Sequence, residues 1–357
     1  MQYWLSKNYK KEFLMKKAFT MIELIFVIVI LGVVAYVATG MIAKTYISYN
    51  RVNTLHKANI KVETALNNIA KRLSYAIGGT IIKRRSGAQY NIAPIELAPP
   101  NYSALEWIGY DVDGFVANNT GSVPTPRPQP AWSGFVDLTS TSRINNNSLN
   151  IVTPGSDLTF EGIVLNNLSS NVINRNTLAN VALFFPGNFN YRNVGYAGPA
   201  LTSNSSGVAV VTGINTATNP NSFTAYAPNP FDVAEYYKLA WSAYAVVPSD
   251  DSVNPQNPCG NYRNTRAGQC NANNPCNLCL VYNYRPWLDN GVGANAAVNQ
   301  YYSNNNNIRA NLLVSNVTVF KTYARANRVH IKLCVKEQYA MGANSTTSIC
   351  KEKVVFR

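Results

Sequence analysis

The spacing of hydrophobic positions along this chain changes once, near residue 44. From Ala18 to Ala43, 26 residues, the chain is apolar on every face, and Glu23 is the only charged side chain. A helix needs about 20 apolar residues to cross a bilayer, so the stretch predicts a membrane-spanning segment. Beyond it, Val52, Leu55, Val62, Leu66, Ile69, Leu73 and Ile77 recur at spacings of three, four and seven, with Lys57, Lys61, Asn68, Lys71 and Arg72 mostly on the other side. That pattern predicts an amphipathic helix whose face over 52–77 is core. No proline interrupts 19–77, and Gly78-Gly79 supplies a stop. The two patterns therefore predict one helix, about 88 Å long at ~1.5 Å per residue. Residues 19–43 would lie in the membrane and residues 44–79 on a domain.

Residues 80–235 have little periodicity and frequent Gly, Pro, Asn and Ser, which predicts short strands and long loops. "PTPRPQP" at 124–130 reads as an extended surface loop or subdomain link, and the Asn-rich stretches at 144–148 and 304–307 read as loop tips. Residues 236–357 are clearer. "YYKLAWSAYAVV" (236–247), "LCLVYNY" (278–284), "LLVSNVTVFKTYA" (312–324), "RVHIKLCVKE" (328–337) and "SICKEKVVF" (348–356) are aromatic and β-branched, so they predict strands. The last three predict an antiparallel meander. A hairpin register centred on Gly342 sets Cys334 opposite Cys350, Lys332 opposite Glu352, Val335 opposite Ile349 and Val329 opposite Val355. The expected fold class is α+β: a long N-terminal membrane-spanning helix packed on an antiparallel sheet domain with long loops.

Six cysteines in an exported domain predict disulfides. The hairpin register pairs Cys334 with Cys350. Cys259, Cys270, Cys276 and Cys279 lie in or beside an insertion at 249–277 that has few apolar residues and needs cross-links. Its connectivity stays open among three choices. A four-thiolate zinc site is the rival, because Cys276-x-x-Cys279 has ligand spacing, although Cys259 and Cys270 do not share it.

Charge orients the chain. Lys7, Lys10, Lys11, Lys16 and Lys17 precede the apolar run, so the N-terminal piece stays in the cytoplasm and residues after about 44 are exported. Only 13% of residues are charged, against 46% hydrophobic, with a net charge of +14. The basic excess suits a solvated surface first, and anionic headgroups or nucleic acid second. A carboxylate inside the span costs about 2.5–3.5 kcal/mol, so Glu23 calls for a partner.

Lys16-Lys17-Ala18-Phe19-Thr20-Met21-Ile22-Glu23-Leu24, followed by the apolar run, resembles the type IV prepilin leader. That family usually has Gly before the cut, and this chain keeps a small residue, Ala18. The resemblance implies cleavage after Ala18 by a membrane aspartyl peptidase, which also methylates the new amine of Phe19. In an assembly of staggered parallel helices that amine can meet Glu23 of the next chain. Residues 1–18 would be the cleaved leader, with Met15 an alternative start. The order of strands after the helix also resembles minor pilins and minor pseudopilins. The implied partners are sister subunits, the peptidase, an inner-membrane assembly platform and the bilayer. The implied location is the bacterial inner membrane, single-pass, with the C-terminal domain in the periplasm or on a surface filament.

A search for chemistry yields little. His56 and His330 lie near no nucleophile motif. "DVDG" (111–114) opens like a calcium loop, but Ser122 stands at the twelfth position, which favours a turn. Trp107, Trp132, Trp241 and Trp287 read as core first and as a glycan groove second. No enzyme and no cofactor are expected. The functional expectation is a minor pilin or pseudopilin. The alternatives are a pilus-tip DNA-capture subunit, which a basic stripe with exposed aromatics would favour, and a membrane-anchored sugar-binding or hydrolytic domain, whose hydrolytic form needs paired carboxylates in a cleft.

Overall fold

The computed structural model describes residues 20–85, 91–119, 129–187, 194–196, 207–217, 221–249, 259–260, 270–288, 300, 302, 306–339 and 346–356. Contacts divide the chain into two units, residues 1–53 with 339–345, and residues 54–338 with 346–357. The fold is α+β.

In the first unit, the described residues up to Asn53 belong to helix α1 (Met21–Leu73) or immediately precede it. Its side chains from Met21 to Ile47 are exposed all round, Leu31 and Val33 each at 60%. It is the one helix among the described residues long and apolar enough to cross a membrane.

The second unit is built in layers. After α1 come β1 (Ile82–Arg85), β2 (Ile92–Pro94), β3 (Tyr102–Gly109), the one-turn α2 (Val112–Val116), β4 (Asn118–Asn119) and β5 (Gln129–Pro130). Next are β6 (Ser142–Asn145), β7 (Ser148–Val152), α3 (Leu158–Leu168), β8 (Ala182–Phe184), β9 (Val208–Asn215), β10 (Ser222–Tyr226) and β11 (Lys238–Ala240). The chain ends with β12 (Ser242–Ser249), β13 (Cys276–Tyr284), β14 (Arg309–Arg325), β15 (Arg328–Gln338) and β16 (Thr346–Phe356). An eight-stranded antiparallel sheet runs β16-β15-β14-β13-β12-β3-β1-β2, and a six-stranded one runs β11-β8-β9-β10-β7-β6. Strands cross the boundary drawn at 235/236 both ways: β1 to β3 join the later sheet, and β11 joins the earlier one.

The stripe Val62, Ala65, Leu66, Ile69 and Leu73 of α1 packs on one face of the larger sheet, against Leu105, Trp107, Leu280 and Ile331 among others. Each of the Val, Leu and Ile side chains contributes about 1.5–3 kcal/mol when fully buried. The sheet's other face, with Ile108, Ala245 and Val281, meets Phe184, Val208 and Ala240 of the smaller sheet. The smaller sheet's outer face is closed by Leu158 and Leu165 of α3. β3 and β12 are thus buried on both faces, which removes the alternation a strand normally shows.

Three expectations need correction. The helix ends at Leu73 rather than Ile77. Ala76 bridges Gly109, the Ile77 N–H donates to Ile108 O at 2.8 Å, and Ile77 joins the core between the sheets. Val52 is 62% exposed rather than core. "YYKLAWSAYAVV" is not one strand: the chain passes at Trp241 from the smaller sheet to the larger, and its continuous apolar run carries no turn residue to mark the change.

The final hairpin has the register read from the sequence, with Cys334 opposite Cys350, Lys332 opposite Glu352, Val335 opposite Ile349 and Val329 opposite Val355. Its turn around Gly342 and the loop 121–128 lie outside the described residues. Residues 146–147 do form the tip between β6 and β7.

Candidate functional site

Ala18 and Phe19 lie outside the described residues. Thr20 immediately precedes the helix and Glu23 sits in its first turn. The Glu23 N–H donates to Thr20 Oγ1 at 3.4 Å, and the Thr20 hydroxyl donates to Glu23 Oε2 at 3.5 Å. This reciprocal pair is a relative of the capping box, and an acid there also favours the positive end of the helix dipole. This cap was not read from the sequence, although the Thr-x-x-Glu spacing carries it. Glu23 therefore has a local structural use as well as any intermolecular one.

All six cysteines are bridged: Cys334–Cys350, Cys259–Cys279 and Cys270–Cys276. Cys276 and Cys279, the pair with zinc-ligand spacing, belong to different bridges. Both lie on β13, and Cys270 and Cys276 are part of the helix-facing core. Strand β12 reaches Ser249 and β13 begins at Cys276, so the insertion is bounded by core strands at both ends.

A cleft with a volume of about 690 Å³ opens among the described residues. Tyr110, Phe115, Trp132, Phe135, Tyr236 and Tyr237 line it, and Lys238 Nζ sits 5.1 Å from the Tyr110 ring centroid. Phe115 packs on Trp132 and Phe135 on Tyr236, each with centroids 5.0 Å apart. Phe115, Phe135 and Tyr236 are exposed. Of the four tryptophans considered from sequence, only Trp132 lines this cleft. Trp107 and Trp287 are fully buried, and Trp241 borders a separate depression.

Beneath the cleft wall lies a feature that sequence spacing did not disclose. The "DVDG" segment forms the cap and first turn of α2, with Asp111 Oδ2 accepting from Gly114 N at 2.8 Å. Glu161 of α3 meets Asp111 there. Both are buried, and Asp111 Oδ1 and both Glu161 oxygens receive no donor. Gly114 is required, because a Cβ would fall on both carboxyl groups. Burial raises the Asp111 carboxyl to about 6 despite the Gly114 N–H. Burial and then the Asp111 charge raise Glu161 well above the ordinary carboxylate range. Neither acid has an ion pair among the described residues, and both shifts favour a protonated carboxyl over two adjacent charges. At 2% and 0% exposure the two groups do not line this cleft, and Asp111 borders the separate depression beside Trp241.

A contrasting buried acid sits in the larger sheet. Glu106 receives Arg84 Nε at 2.6 Å and the Tyr284 hydroxyl at 3.4 Å, while Arg84 Nη2 also donates to Tyr196 O. This network ties residues near 196 to the sheet. His330 contacts Glu352 at 3.0 Å, and His56 is exposed on α1. Among the described residues, no three acidic, His or Cys side chains converge as a metal set.

Comparison with family models, characterised proteins and solved structures returns no match. The class the structure defines is architectural: an apolar N-terminal helix followed by a disulfide-bridged, two-sheet α+β domain.

Proposed function

We propose that the chain is a minor pilin or pseudopilin subunit of a type IV pilus or a type II secretion filament. It enters the inner membrane through the apolar stretch of α1 and loses residues 1–18 to a prepilin peptidase. It then moves through an assembly platform into a filament, where it primes assembly or binds at the tip. The observation that carries this reading is the stretch Met21 to Ala43, exposed and apolar on every face with Glu23 as its one charged side chain, in the first turn. Such a surface suits lipid first and neighbouring helices afterwards.

The test is the N-terminus of native membrane protein by mass spectrometry. The expected result is a peptide beginning at N-methylated Phe19, and an intact Lys17-Ala18-Phe19 junction in assembled protein overturns the reading. Glu23→Val should insert at least as well as wild type but fail to enter filaments.

A second reading, a membrane-anchored sugar-binding domain, is favoured by the aromatic cleft alone. Exposed ring faces beside Lys238 suit the apolar face of a sugar. Titration with oligosaccharides should change Trp132 fluorescence if that reading holds. An unchanged signal in wild type and Trp132→Phe alike removes it.

A further inference from the structure

The outward face of the final three strands carries charges that its own folding does not explain. Burial alternates along β14 to β16, so Lys321, Tyr323 and Arg325 point outward together with Arg328, His330, Lys332, Glu352, Val354 and Phe356. The pairing register sets Lys321 opposite Lys332 and Arg325 opposite Arg328. Like charges directly opposite on neighbouring strands are destabilising, and here two such pairs stand four residues apart. At about 3.4 Å per residue the rows are separated by roughly 14 Å. None of the four cations makes an ion pair among the described residues. The one acid in the patch, Glu352, lies opposite Lys332 and feels its charge, but its hydrogen bonds go to His330 at 3.0 Å and the Tyr323 hydroxyl at 3.2 Å, and the Arg325–Arg328 row has no acid.

Aromatic rings lie among the cations. Tyr323 stacks on His330 with centroids 4.6 Å apart and planes 7° from parallel. Tyr323 is 47% and Phe356 68% exposed, and the Arg328 guanidinium lies over the Phe356 ring. Two rows of cations with open rings between and beside them match a flexible polyanion whose charges alternate with planar groups. A lipid surface would favour a broader apolar rim than Val354 and Phe356 supply.

We propose that this face of β14–β16 binds single-stranded nucleic acid, with phosphates on Lys321, Lys332, Arg325 and Arg328 and bases stacked on Tyr323 and Phe356. Binding would also neutralise the two repulsive cross-strand pairs. The proposal is independent of the filament reading.

The full chain in neutral detergent is titrated against a short fluorescent thymidine oligonucleotide by anisotropy. Affinity should fall with salt at a log–log slope of about −3, since four phosphate contacts each contribute about 0.7 on a single strand. Replacing Lys321, Arg325, Arg328 and Lys332 together by Gln should weaken binding at least about tenfold, and by more at low salt. A control replacing Lys44, Arg51, Lys57 and Lys71 of α1 by Gln has the same net charge and should bind within about twofold of wild type. Tyr323→Ala should lose roughly 5- to 100-fold. All these side chains are exposed, so the variants should fold, which circular dichroism checks. The proposal is overturned by absent or salt-independent binding, by equal weakening in patch and control variants, or by stronger competition from duplex DNA or a short-chain anionic phospholipid than from unlabelled oligonucleotide.

Discussion

Residues 21–47 and 54–73 of α1 share one backbone geometry but have different surfaces. In the first stretch every side chain is exposed, and large apolar residues occur on all sides. In the second, the apolar residues collapse to one stripe, Val62, Leu66, Ile69 and Leu73, buried at 3% exposure or less. The other side carries charges that reach the sheet: Lys61 to Glu337 and Glu63 to Lys351, each at 2.7 Å, with Asn67 bonded to Lys353. Hydrophobicity alone does not place a helix inside a protein. Its angular distribution determines whether it docks on a sheet or requires a solvent that is apolar all round.

The sharpest way to break this contrast is to put the same charge in each stretch. Ile69→Asp buries an uncompensated carboxylate against the sheet and should cost more than about 4 kcal/mol, leaving the domain unfolded. Val29→Asp should leave the domain's thermal unfolding in detergent unchanged. Equal losses in the two variants would mean that the exposed stretch also supports the domain fold.

A smaller effect tests the surface that receives the stripe. Replacing Cys334 and Cys350 together by Ser should cost about 2–4 kcal/mol and make β16 the first strand cut in limited proteolysis. An unchanged cleavage pattern would show that the pairing with β15 and the helix contacts hold β16 without the bridge.

Acidity separates charge at the helix seam from charge in the interior. The folded-state values of Asp111 and Glu161 are raised, so their contribution is fully present below the unfolded carboxylate pKa and is lost as pH rises, through about 6 for Asp111 and through the still higher range of Glu161. Glu161→Gln should therefore stabilise the domain by about 1–3 kcal/mol at pH 8 and by much less at pH 4, read from melting curves. The smallest effect lies at the seam. The Lys351 hydrogen bond and charge lower Glu63, so that contribution is present above the unfolded carboxylate pKa and is lost as pH falls. Lys351→Ala should shift the melting temperature only slightly at pH 7 and not at all at pH 3.

Legibility in the sequence followed the environment of each segment. The apolar run, the amphipathic stripe and the C-terminal register were legible because each has a clear period or an opposite pair such as Cys334 and Cys350. β3 and β12 carry no period because both their faces are buried, so residues 80–235 gave little sign that their first strands complete the later sheet. Arg84 stood among like charges, between Lys83 and Arg85, and nothing local paired it with Glu106 until the sheet brought them together. Asp111 and Glu161 meet only through the packing of α2 against α3, and local spacing does not encode that packing. The "DVDG" turn was visible in the sequence, but its acidic neighbour was not.

The order in which the sheets use the chain bears on how it must fold. The smaller sheet is drawn from one uninterrupted stretch, β6 to β11, residues 142–240. The larger sheet is split around it, and Gly109 of β3 pairs with Ser242 of β12. On a ribosome, or in a translocation channel that passes the N-terminus first, β1 to β3 emerge without the neighbour that completes them, while the intervening sheet can close as soon as its own strands are out. The late, long-range step is then the joining of β3 to β12, and closing a loop of that length slows folding more than it weakens the finished domain. Until that joining, β3 has an open edge. A chaperone acting on this chain would have most to protect at Tyr102–Gly109.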